Sequence, residues 1–324
     1  MSETAVTADG AGQPVLALCG GIGGAKLALG LYHTLPPGRL AIAVNPGDDF
    51  EHLGLSISPD LDTVLYTLSG LADPVRGWGR KDESWNFMAA MRELGGETWF
   101  QLGDRDLAMH VERTRMLRAA ITLSQAVASA AQELGIAAQI MPATDDRLRT
   151  VVLTDEGELP FQSYFVERRA APRVRGLRYD GAEKAQPTPR LLETLASTKL
   201  RAVIICPSNP YLSIDPMLAM PALRESIAHC AAPVIAVSPI VGGRAIKGPT
   251  AKIMTELGVP VTNRSIAKHY GDLIDGLVVD VADRHDADGI DVPVCATPTL
   301  MESLADRKRL AEEAIRFADE IASR

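Results

Sequence analysis

Hydrophobic and polar positions alternate along this chain in a pattern that favours repeated strand–helix units. Short apolar runs such as PVLALC and LAIAV are typical of buried parallel strands. Between them lie helix-like stretches such as GAKLALGLYHTL, in which Leu27, Leu31 and Leu35 share one helical face. A further strand is predicted over Thr98–Leu102. Repeated units of this kind predict an α/β fold with a doubly wound, mostly parallel, Rossmann-like sheet.

The middle of the chain has a different pattern. The segment TVVLTDEGELPFQSYFVERR alternates apolar and polar residues around a turn at Asp155–Gly157, which predicts an antiparallel hairpin. We therefore expect a small antiparallel, inserted subdomain over about residues 142–181. Residues 14–324 are predicted to form a single α/β domain, and residues 1–13 a disordered cytoplasmic tail that lacks the features of a signal peptide.

Turn-rich segments are predicted to follow strands at several points of the chain. In doubly wound sheets, ligands bind outside the carboxyl ends of the strands, so loops that follow strands line one crevice. The segments expected there are GGIGG, NPGDDF, GDRD, PSNP and SPIVGG.

The first of these loops resembles a phosphate-binding turn without matching a standard pattern. Gly21 and Gly23 match the first two glycines of the dinucleotide-binding motif, but Lys26 stands where the third belongs. Leu27 stands where the Walker motif needs a hydroxyl. A strand–turn–helix junction still directs N–H groups at an anion, so Gly21, Gly23, Gly24 and Lys26 are predicted to bind phosphate. The alternative is a tight turn that only packs the helix on the sheet.

Four acids follow within fifteen residues of one another, at Asp48, Asp49, Asp60 and Asp62. Carboxylates around one crevice suit Mg²⁺, which prefers one or two of them together with phosphate oxygens and water. Two alternatives remain open. Asp48 and Asp49 also fit a solvated turn, and acids in a first helical turn, as predicted for Asp60 and Asp62, favourably oppose the helix dipole.

The later loops offer further polar groups. Arg105 in GDRD could bind phosphate or a planar polar edge, or belong to a local ion-pair network. PSNPYLS and SPIVGGRAIKG carry hydroxyls, an amide and two cations, and could receive a second ligand or be ordinary turns.

Composition narrows the class of protein. The chain has 324 residues and a net charge of −8, which disfavours nucleic acid or an anionic membrane as the main partner. No segment matches a membrane span. The four cysteines lack metal-ligand spacing and are expected to be core residues in a reducing compartment, so a cytoplasmic location is predicted. The histidines, including His52 and His110, lack zinc spacing and are expected on helix surfaces or in loops. A phosphate-handling enzyme that works by positioning and charge neutralisation remains.

The motifs together resemble one family. GGIGGAKLALGL, NPGDDFEHLGLSISPDLDTVLYTL, LGDRDLAMHVERT, PSNPYLSIDP and SPIVGGRAIKGPTAK are similar to the CofD family, the 2-phospho-L-lactate transferases of coenzyme F-420 biosynthesis. The resemblance runs from about Val15 to the C-terminal helix. It implies transfer of a phosphorylated small acid, of phospholactyl, phosphoenolpyruvyl or phosphoglyceryl type, from a guanylyl-activated diphosphate donor. The implied acceptor is the terminal ribityl hydroxyl of the deazaflavin Fo, the implied metal is Mg²⁺, and the implied products are F-420-0 and GMP.

The resemblance also implies roles for residues. Asp62 and Arg105 match deazaflavin contacts of the family, with Asp60 and Asp104 beside them in the same motifs. Asp48 and Asp62 are hypothesised as the principal carboxylates on the metal side or the hydroxyl side. The glycine loop would hold the donor's diphosphate. Loop position alone suggests guanosine contacts at Ser208, Asn209 and Ser238.

Two other classes of protein are alternatives to this family. An NAD(P)-dependent Rossmann oxidoreductase would place Asp48 or Asp49 on a ribose, but the missing third glycine and the crowd of acids count against it. A non-catalytic nucleotide-binding regulator of the same fold is disfavoured by the intact PDLD and GDRD motifs. A homodimer is expected, and the transferred acid is left open.

Overall fold

The computed structural model of the chain describes residues 12–246 and 248–324. Most of the predicted N-terminal tail, residues 1–11, lies outside the described residues, as does residue 247 in the segment SPIVGGRAIKG. Within the described ranges, no helix is both long enough and apolar enough to cross a membrane.

The elements follow the predicted alternation of strands and helices. The strands are β1 (Val15–Cys19), β2 (Leu40–Val44), β3 (Phe50–His52), β4 (Leu55–Ile57), β5 (Gln139–Pro142), β6 (Arg149–Thr154), β7 (Gly157–Pro160), β8 (Val174–Asp180), β9 (Ala202–Ile205), β10 (Val234–Val237), β11 (Ile240–Val241), β12 (Arg244–Ala245), β13 (Gly276–Val279) and β14 (Val294–Ala296). The α-helices are α1 (Gly21–Thr34), α2 (Pro59–Leu68), α3 (Asn86–Glu93), α4 (Asp104–Arg118), α5 (Leu123–Glu133), α6 (Pro189–Leu195), α7 (Asp215–Leu218), α8 (Pro221–Ala228), α9 (Thr250–Glu256), α10 (Asn263–Tyr270) and α11 (Leu304–Ala322). The described residues also form π-helices at Ser163–Glu167 and Pro210–Ile214 and 3₁₀ turns at Gly271–Leu273 and Val281–Ala287.

The central sheet has seven strands in the order β14-β13-β10-β9-β1-β2-β5, and every neighbouring pair is parallel. From β1 the chain first builds outward through β2 and β5, then returns to β9 on the other side of β1 and builds outward in the opposite direction. The order therefore reverses between β1 and β9, which is where ligands bind in such sheets. The predicted fold class is confirmed.

Both faces of the sheet are buried, which explains the unbroken apolar runs of the strands. In β1, Val15, Ala17 and Cys19 belong to a core shared with α1, α2, α5 and α11. Leu16 and Leu18 point the other way, into a core shared with α6, α8, α9, α10 and the antiparallel subdomain. Alternate residues of each strand thus supply separate cores, because successive side chains point to opposite faces of a sheet.

The predicted hairpin is confirmed. β6 pairs antiparallel with β7 around residues 155–156, and β8 adds on the other side of β6, so the small sheet spans residues 149–180. Its β6 starts beside the Asn45–Asp49 turn, because Thr150 N donates to Gly47 O over 2.8 Å. The inserted sheet is therefore tied directly to one of the predicted site loops.

The predicted strand at Thr98–Leu102 is wrong. These residues are irregular, and Phe100 packs edge-on against Phe50 at 4.9 Å between ring centroids. The apolar residues of this run cover a small satellite core around Met88 and do not pair with a sheet. A short apolar run is compatible with either arrangement, so its sequence does not distinguish them. GDRD accordingly starts α4 instead of ending a strand, whereas the other four site loops follow β1, β2, β9 and β10.

The cysteines agree in part with the prediction. All four, which lie in the described part of the chain, are free thiols. Cys19 and Cys206 are buried in the core, but Cys230 and Cys295 are only half-buried.

Candidate active site at the carboxyl edge of the sheet

A cavity of about 610 Å³ opens at the point where the strand order reverses. Its walls include Gly20–Gly23 after β1, Asp48 after β2, Pro207–Asn209 after β9 and Ser238–Pro239 after β10. Four of the five predicted site loops therefore contribute to one crevice, as the rule for doubly wound sheets predicts. The fifth, GDRD, contributes its last residue, Asp106, from the first turn of α4.

The glycine loop is shaped by close packing. Gly21 has a φ of +64°, which favours glycine. A Cβ on Gly23 would lie 2.3 Å from Pro207 O, and one on Gly24 would lie 2.6 Å from Ser208 Oγ. The alternative, a tight turn that packs the helix on the sheet, therefore explains why Gly23 and Gly24 are glycines. Ile22 and Gly23 also line the cavity at the start of α1, where helix N–H groups lack intrahelical partners, so phosphate binding stays a prediction.

Lys26 also reaches the cavity. It lies among the residues that form the wall, and its Nζ donates to Met301 O over 2.8 Å. The ammonium group is therefore anchored on the segment that precedes α11.

Asn45 holds two of the predicted acids together. Its Nδ2 lies 3.1 Å from Asp48 Oδ1, 3.0 Å from Asp60 Oδ2 and 3.1 Å from Leu212 O, and its Oδ1 accepts from Gly47 N over 2.8 Å. Asn45 is fully buried. One amide thus joins the turn after β2, the first turn of α2 and the π-helix after β9.

Asp48 and Asp60 are both buried, and they lie close together. Within residues 12–246 and 248–324, no Lys, Arg or His side chain hydrogen-bonds to Asp48 or Asp60. Burial raises the pKa of Asp48 well above its usual range, and the charge of Asp60 adds to the effect. Burial also raises the pKa of Asp60 to about 6, although hydrogen bonds from Asn45 and Gly21 N act in the opposite direction. A cation bound between the two would remove this repulsion.

Asp49 lies behind the cavity wall. Ser58 Oγ donates to Asp49 Oδ2 over 3.0 Å, so Ser58 holds the N-cap position of α2 without capping the helix with its hydroxyl. Burial raises the pKa of Asp49 to about 7, opposed by the charges of Arg149 and Arg113. Among the described residues, Asp49 Oδ1 has no hydrogen-bond partner.

Asp62 lines the cavity in an ion pair that the sequence did not predict. Arg113 Nη1 lies 3.1 Å from Asp62 Oδ2, and Nη2 contacts Oδ1. His110 Nδ1 lies 3.6 Å from Asp62 Oδ2. Both Arg113 and His110 are buried, so the expectation that the histidines lie on helix surfaces or in loops is wrong for His110, and also for buried His52.

The network continues along the cavity wall, where Tyr66, Asp106 and His110 also lie. His110 Nε2 lies 3.3 Å from Asp106 Oδ2, and Tyr66 Oη donates to Asp106 Oδ1 over 2.6 Å. Asp106, His110 and Arg113 are spaced i, i+4 and i+7 on α4, which places them on one helical face. That spacing, which begins at the last residue of GDRD, is the signal in the sequence that indicates this network.

Asp104 and Arg105, the first two residues of α4, lie outside the cavity wall. Asp104 accepts from Ser84 Oγ over 2.6 Å and from Phe87 N over 3.0 Å, and so organises the start of α3. Arg105 is exposed, and its backbone N donates to Glu83 Oε2. The structure does not bring Asp104 or Arg105 into the cavity wall, and their contact with a deazaflavin stays a prediction.

The three residues suggested for guanosine all line the cavity. Ser208 Oγ donates to Gly20 O over 2.7 Å, and Ser238 Oγ accepts from Ile240 N. Asn209 Oδ1 caps the π-helix Pro210–Ile214 by accepting from the N–H groups of Tyr211 and Leu212. Among the described residues, Asn209 Nδ2 is buried and has no hydrogen-bond partner. Asn209 therefore has an unused amide donor.

Part of the cavity wall is apolar and exposed. Trp78, Phe165, Ile246 and Leu300 line the cavity although each is exposed. Phe165 stacks on Phe161 with ring centroids 5.4 Å apart, on the π-helix supplied by the antiparallel subdomain. Exposed apolar residues around a concave site indicate a ligand with a large apolar surface.

Fold and cavity together define a Rossmann-like α/β protein with an acidic pocket at the switch point of its sheet. The family model described as "2-phospho-L-lactate transferase CofD" matches residues 15–314. The chain belongs to the CofD family. It is a transferase, and it transfers a phosphorylated acid in coenzyme F-420 biosynthesis.

Relatives of this chain carry two names. The chain is 39% identical to a phosphoenolpyruvate transferase of Kitasatospora aureofaciens, over 95% of this chain and 98% of that protein. It is 38% identical to a 2-phospho-L-lactate transferase of Methanopyrus kandleri, over 94% and 97%. A UPF0052-family protein of Bacillus halodurans shares the fold with a TM-score of 0.61 at 16% identity, over 94% of this chain and 98% of that one.

Proposed function

We propose that this enzyme transfers a phosphorylated small acid from a guanylyl-activated diphosphate donor to the ribityl hydroxyl of Fo. The products are GMP and an F-420-0-type deazaflavin. The observation that carries the proposal is the buried Asp48–Asp60 pair beside the glycine loop in one cavity. A diphosphate near this pair needs positive charge between phosphate and carboxylate, because the pair has no cationic partner within the described ranges.

The residues present fit Mg²⁺. Asp48 and Asp60 offer hard oxygen ligands on the cavity wall. Asp49 Oδ1, which has no hydrogen-bond partner among the described residues, lies in the same turn as Asp48. When bound, Mg²⁺ neutralises phosphate oxygens of the donor and of departing GMP. In this proposal Asp48 and Asp60 hold the metal, and Asn45 sets the distance between them.

The chemical step is a single displacement at phosphorus. The ribityl oxygen forms a bond to the phosphorus that carries the small acid, and the bond from that phosphorus to the bridging oxygen breaks. GMP leaves with the bridging oxygen, and the hydroxyl proton passes to a carboxylate or water. A loose transition state needs little from a general base, so orientation of the hydroxyl matters more than its deprotonation.

The protein's own groups position the reactants. The N–H groups at the start of α1 and Lys26 are proposed to hold the diphosphate. Asn209 Nδ2, the unused amide donor, is proposed as a guanosine contact together with Ser208 and Ser238. The apolar wall is proposed to receive the deazaflavin ring, and Arg105 to contact it from outside the described wall.

The transferred acid is decided by experiment. Relatives of nearly equal identity are named for phosphoenolpyruvate and for 2-phospho-L-lactate. Purified protein is incubated with Fo, Mg²⁺ and equal amounts of the phospholactyl, phosphoenolpyruvyl and phosphoglyceryl donors, and the deazaflavin products are resolved by mass. One dominant product mass supports the proposal and identifies the acid. Unchanged Fo with folded protein would overturn it in favour of a nucleotide-binding regulator.

A cytoplasmic homodimer completes the proposal. The free thiols are consistent with a reducing compartment. Light scattering coupled to size exclusion gives the mass of the assembly, which would be twice the 34.7 kDa chain for a dimer.

A further inference from the structure

Three of the four acids that the sequence groups together line the cavity, and these three separate into two environments. Asp48 and Asp60 share Asn45 and have no cationic side chain bonded to them within the described ranges. Asp62 instead has a guanidinium on both of its oxygens. Asp62 and the Asp48–Asp60 pair line the same cavity, so they differ in charge compensation and not in access to the cavity.

The guanidinium of Arg113 is held in its contact with Asp62 by burial and by its other hydrogen bonds. It is 3% exposed, and within the described ranges its hydrogen bonds go to Asp62, to Ser56 O at 3.4 Å and to His110 Nδ1 at 3.4 Å. A guanidinium on two carboxylate oxygens fixes the plane of the carboxylate as well as its position. Because arginine has no acceptor, His110 Nδ1 accepts in this contact, and His110 Nε2 on the other side of the ring lies 3.3 Å from Asp106 Oδ2.

We propose that Arg113 is a positioning residue that reserves Asp62 for the acceptor hydroxyl and keeps it out of the metal site. The proposal rests on the proposed transferase function. A carboxylate already neutralised by a buried guanidinium gains little from a second cation, and a cation at Asp62 would lie next to Arg113. The same carboxylate can still accept a hydrogen bond from a hydroxyl, with its orientation fixed.

The test is a double-mutant cycle between Arg113→Gln and Asp62→Asn. With Fo as the varied substrate, Arg113→Gln is expected to lower kcat/KM about 10- to 100-fold. In the Asp62→Asn background, adding Arg113→Gln is expected to change kcat/KM less than about threefold, because Arg113 acts through Asp62. Arg113→Lys, which keeps the charge but not the two-nitrogen fork, is expected to restore only part of the activity.

Direct Mn²⁺ binding supplies a readout that does not depend on turnover. By calorimetry, Asp60→Asn is expected to weaken Mn²⁺ binding about tenfold or more, whereas Asp62→Asn and Arg113→Gln change it less than about threefold. Arg115→Gln is the matched control, since Arg115 is exposed on the same helix and pairs with Glu112. It is expected to leave both readouts unchanged.

Folding is checked for every variant by thermal unfolding. Arg113→Gln leaves Asp62 unpaired, whereas the double variant removes that buried charge. If the single variant is unstable, Asp62→Asn is compared directly with the double variant, and a difference of more than about threefold in kcat/KM would overturn the proposal. Additive losses in the cycle, or a loss of Mn²⁺ affinity in Arg113→Gln as large as in Asp60→Asn, would overturn the proposal. A wild-type protein that transfers nothing to Fo would instead overturn the proposed function before the cycle is interpreted.

Discussion

Asn45 Nδ2 lies 3.0 Å from Asp60 Oδ2, and this contact joins the loop after the second strand to the first turn of the second helix. Asp48 is held by the same nitrogen. The two carboxylates therefore lie side by side, and in the described part of the chain no cationic side chain hydrogen-bonds to either of them. Charge repulsion would otherwise open this arrangement. The amide makes the acid pair a fixed feature of the metal-free protein.

Replacing Asn45 should separate the pair. Asn45→Ala removes every amide contact and leaves buried acceptors unsatisfied, so it is expected to lower the free energy of unfolding by about 1–3 kcal/mol. Transferase kcat is expected to fall about tenfold or more, since the metal ligands lose their spacing. Urea unfolding and steady-state kinetics measure the two effects. Asn86→Ala, at an exposed amide that donates to Asp104, is the control, and equal losses in both variants would contradict the assignment.

The stability of the metal-free protein should depend on pH with a definite sign. Because burial raises the pKa of Asp60 to about 6, the folded state retains a proton that the unfolded chain releases above about pH 4. Stability is therefore lost as the pH rises through this window, by up to about 3 kcal/mol from Asp60. The raised pKa of Asp49, about 7, extends the loss upward.

Mg²⁺ should oppose this loss, because it binds ionised carboxylates. Thermal unfolding with and without Mg²⁺ is expected to show a larger stabilisation at about pH 8 than at about pH 5. Asp60→Asn should flatten both dependences, whereas Asp82→Asn, at an exposed loop position with a φ of +57°, should leave them unchanged. An equal Mg²⁺ effect at both pH values would argue against carboxylate ligands.

The glycine loop should not tolerate side chains. Gly23→Ala places a Cβ 2.3 Å from Pro207 O, so either the first strand–helix junction or the loop after β9 must move. The expected cost is about 1–3 kcal/mol of unfolding free energy, together with a raised KM for the donor. Gly12→Ala, where a Cβ meets nothing within 4 Å, is the control for denaturant unfolding. Wild-type behaviour of Gly23→Ala would show that the junction is plastic.

Trp78 should contribute to acceptor binding. Its ring lines the cavity, stands 6.4 Å edge-on from Trp85, and Trp85 is in turn covered by the Arg76 guanidinium at 4.5 Å. Trp78→Ala is expected to raise the KM for Fo about tenfold while Mn²⁺ affinity stays unchanged. Leu94→Ala, at a side chain that is 83% exposed and outside the cavity wall, is the control. A raised donor KM with an unchanged Fo KM would move the acceptor to another wall.

The sequence by itself determined the parallel α/β sheet, the hairpin in the middle of the chain and most of the loops that line the cavity. Continuous apolar strands, leucines at helical spacing and turn residues are local signals, and the rule for doubly wound sheets converts them into one crevice. It also placed Asp48, Asp60 and Asp62 on the cavity wall.

Tertiary structure decided which of the acids share the same partners and the same charge environment. Asn45 reaches Asp60 across 15 residues, and Arg113 reaches Asp62 across 51, so the pairings depend on how the loop after β2, α2 and α4 pack together. The sequence grouped four acids by proximity along the chain. Burial and partner charge divide them into the Asp48–Asp60 pair, the compensated Asp62, and Asp49, which bonds to Ser58 behind the cavity wall. The Thr98–Leu102 run shows the same limit: a short apolar segment serves a strand or an irregular cover equally well, and only packing decides which.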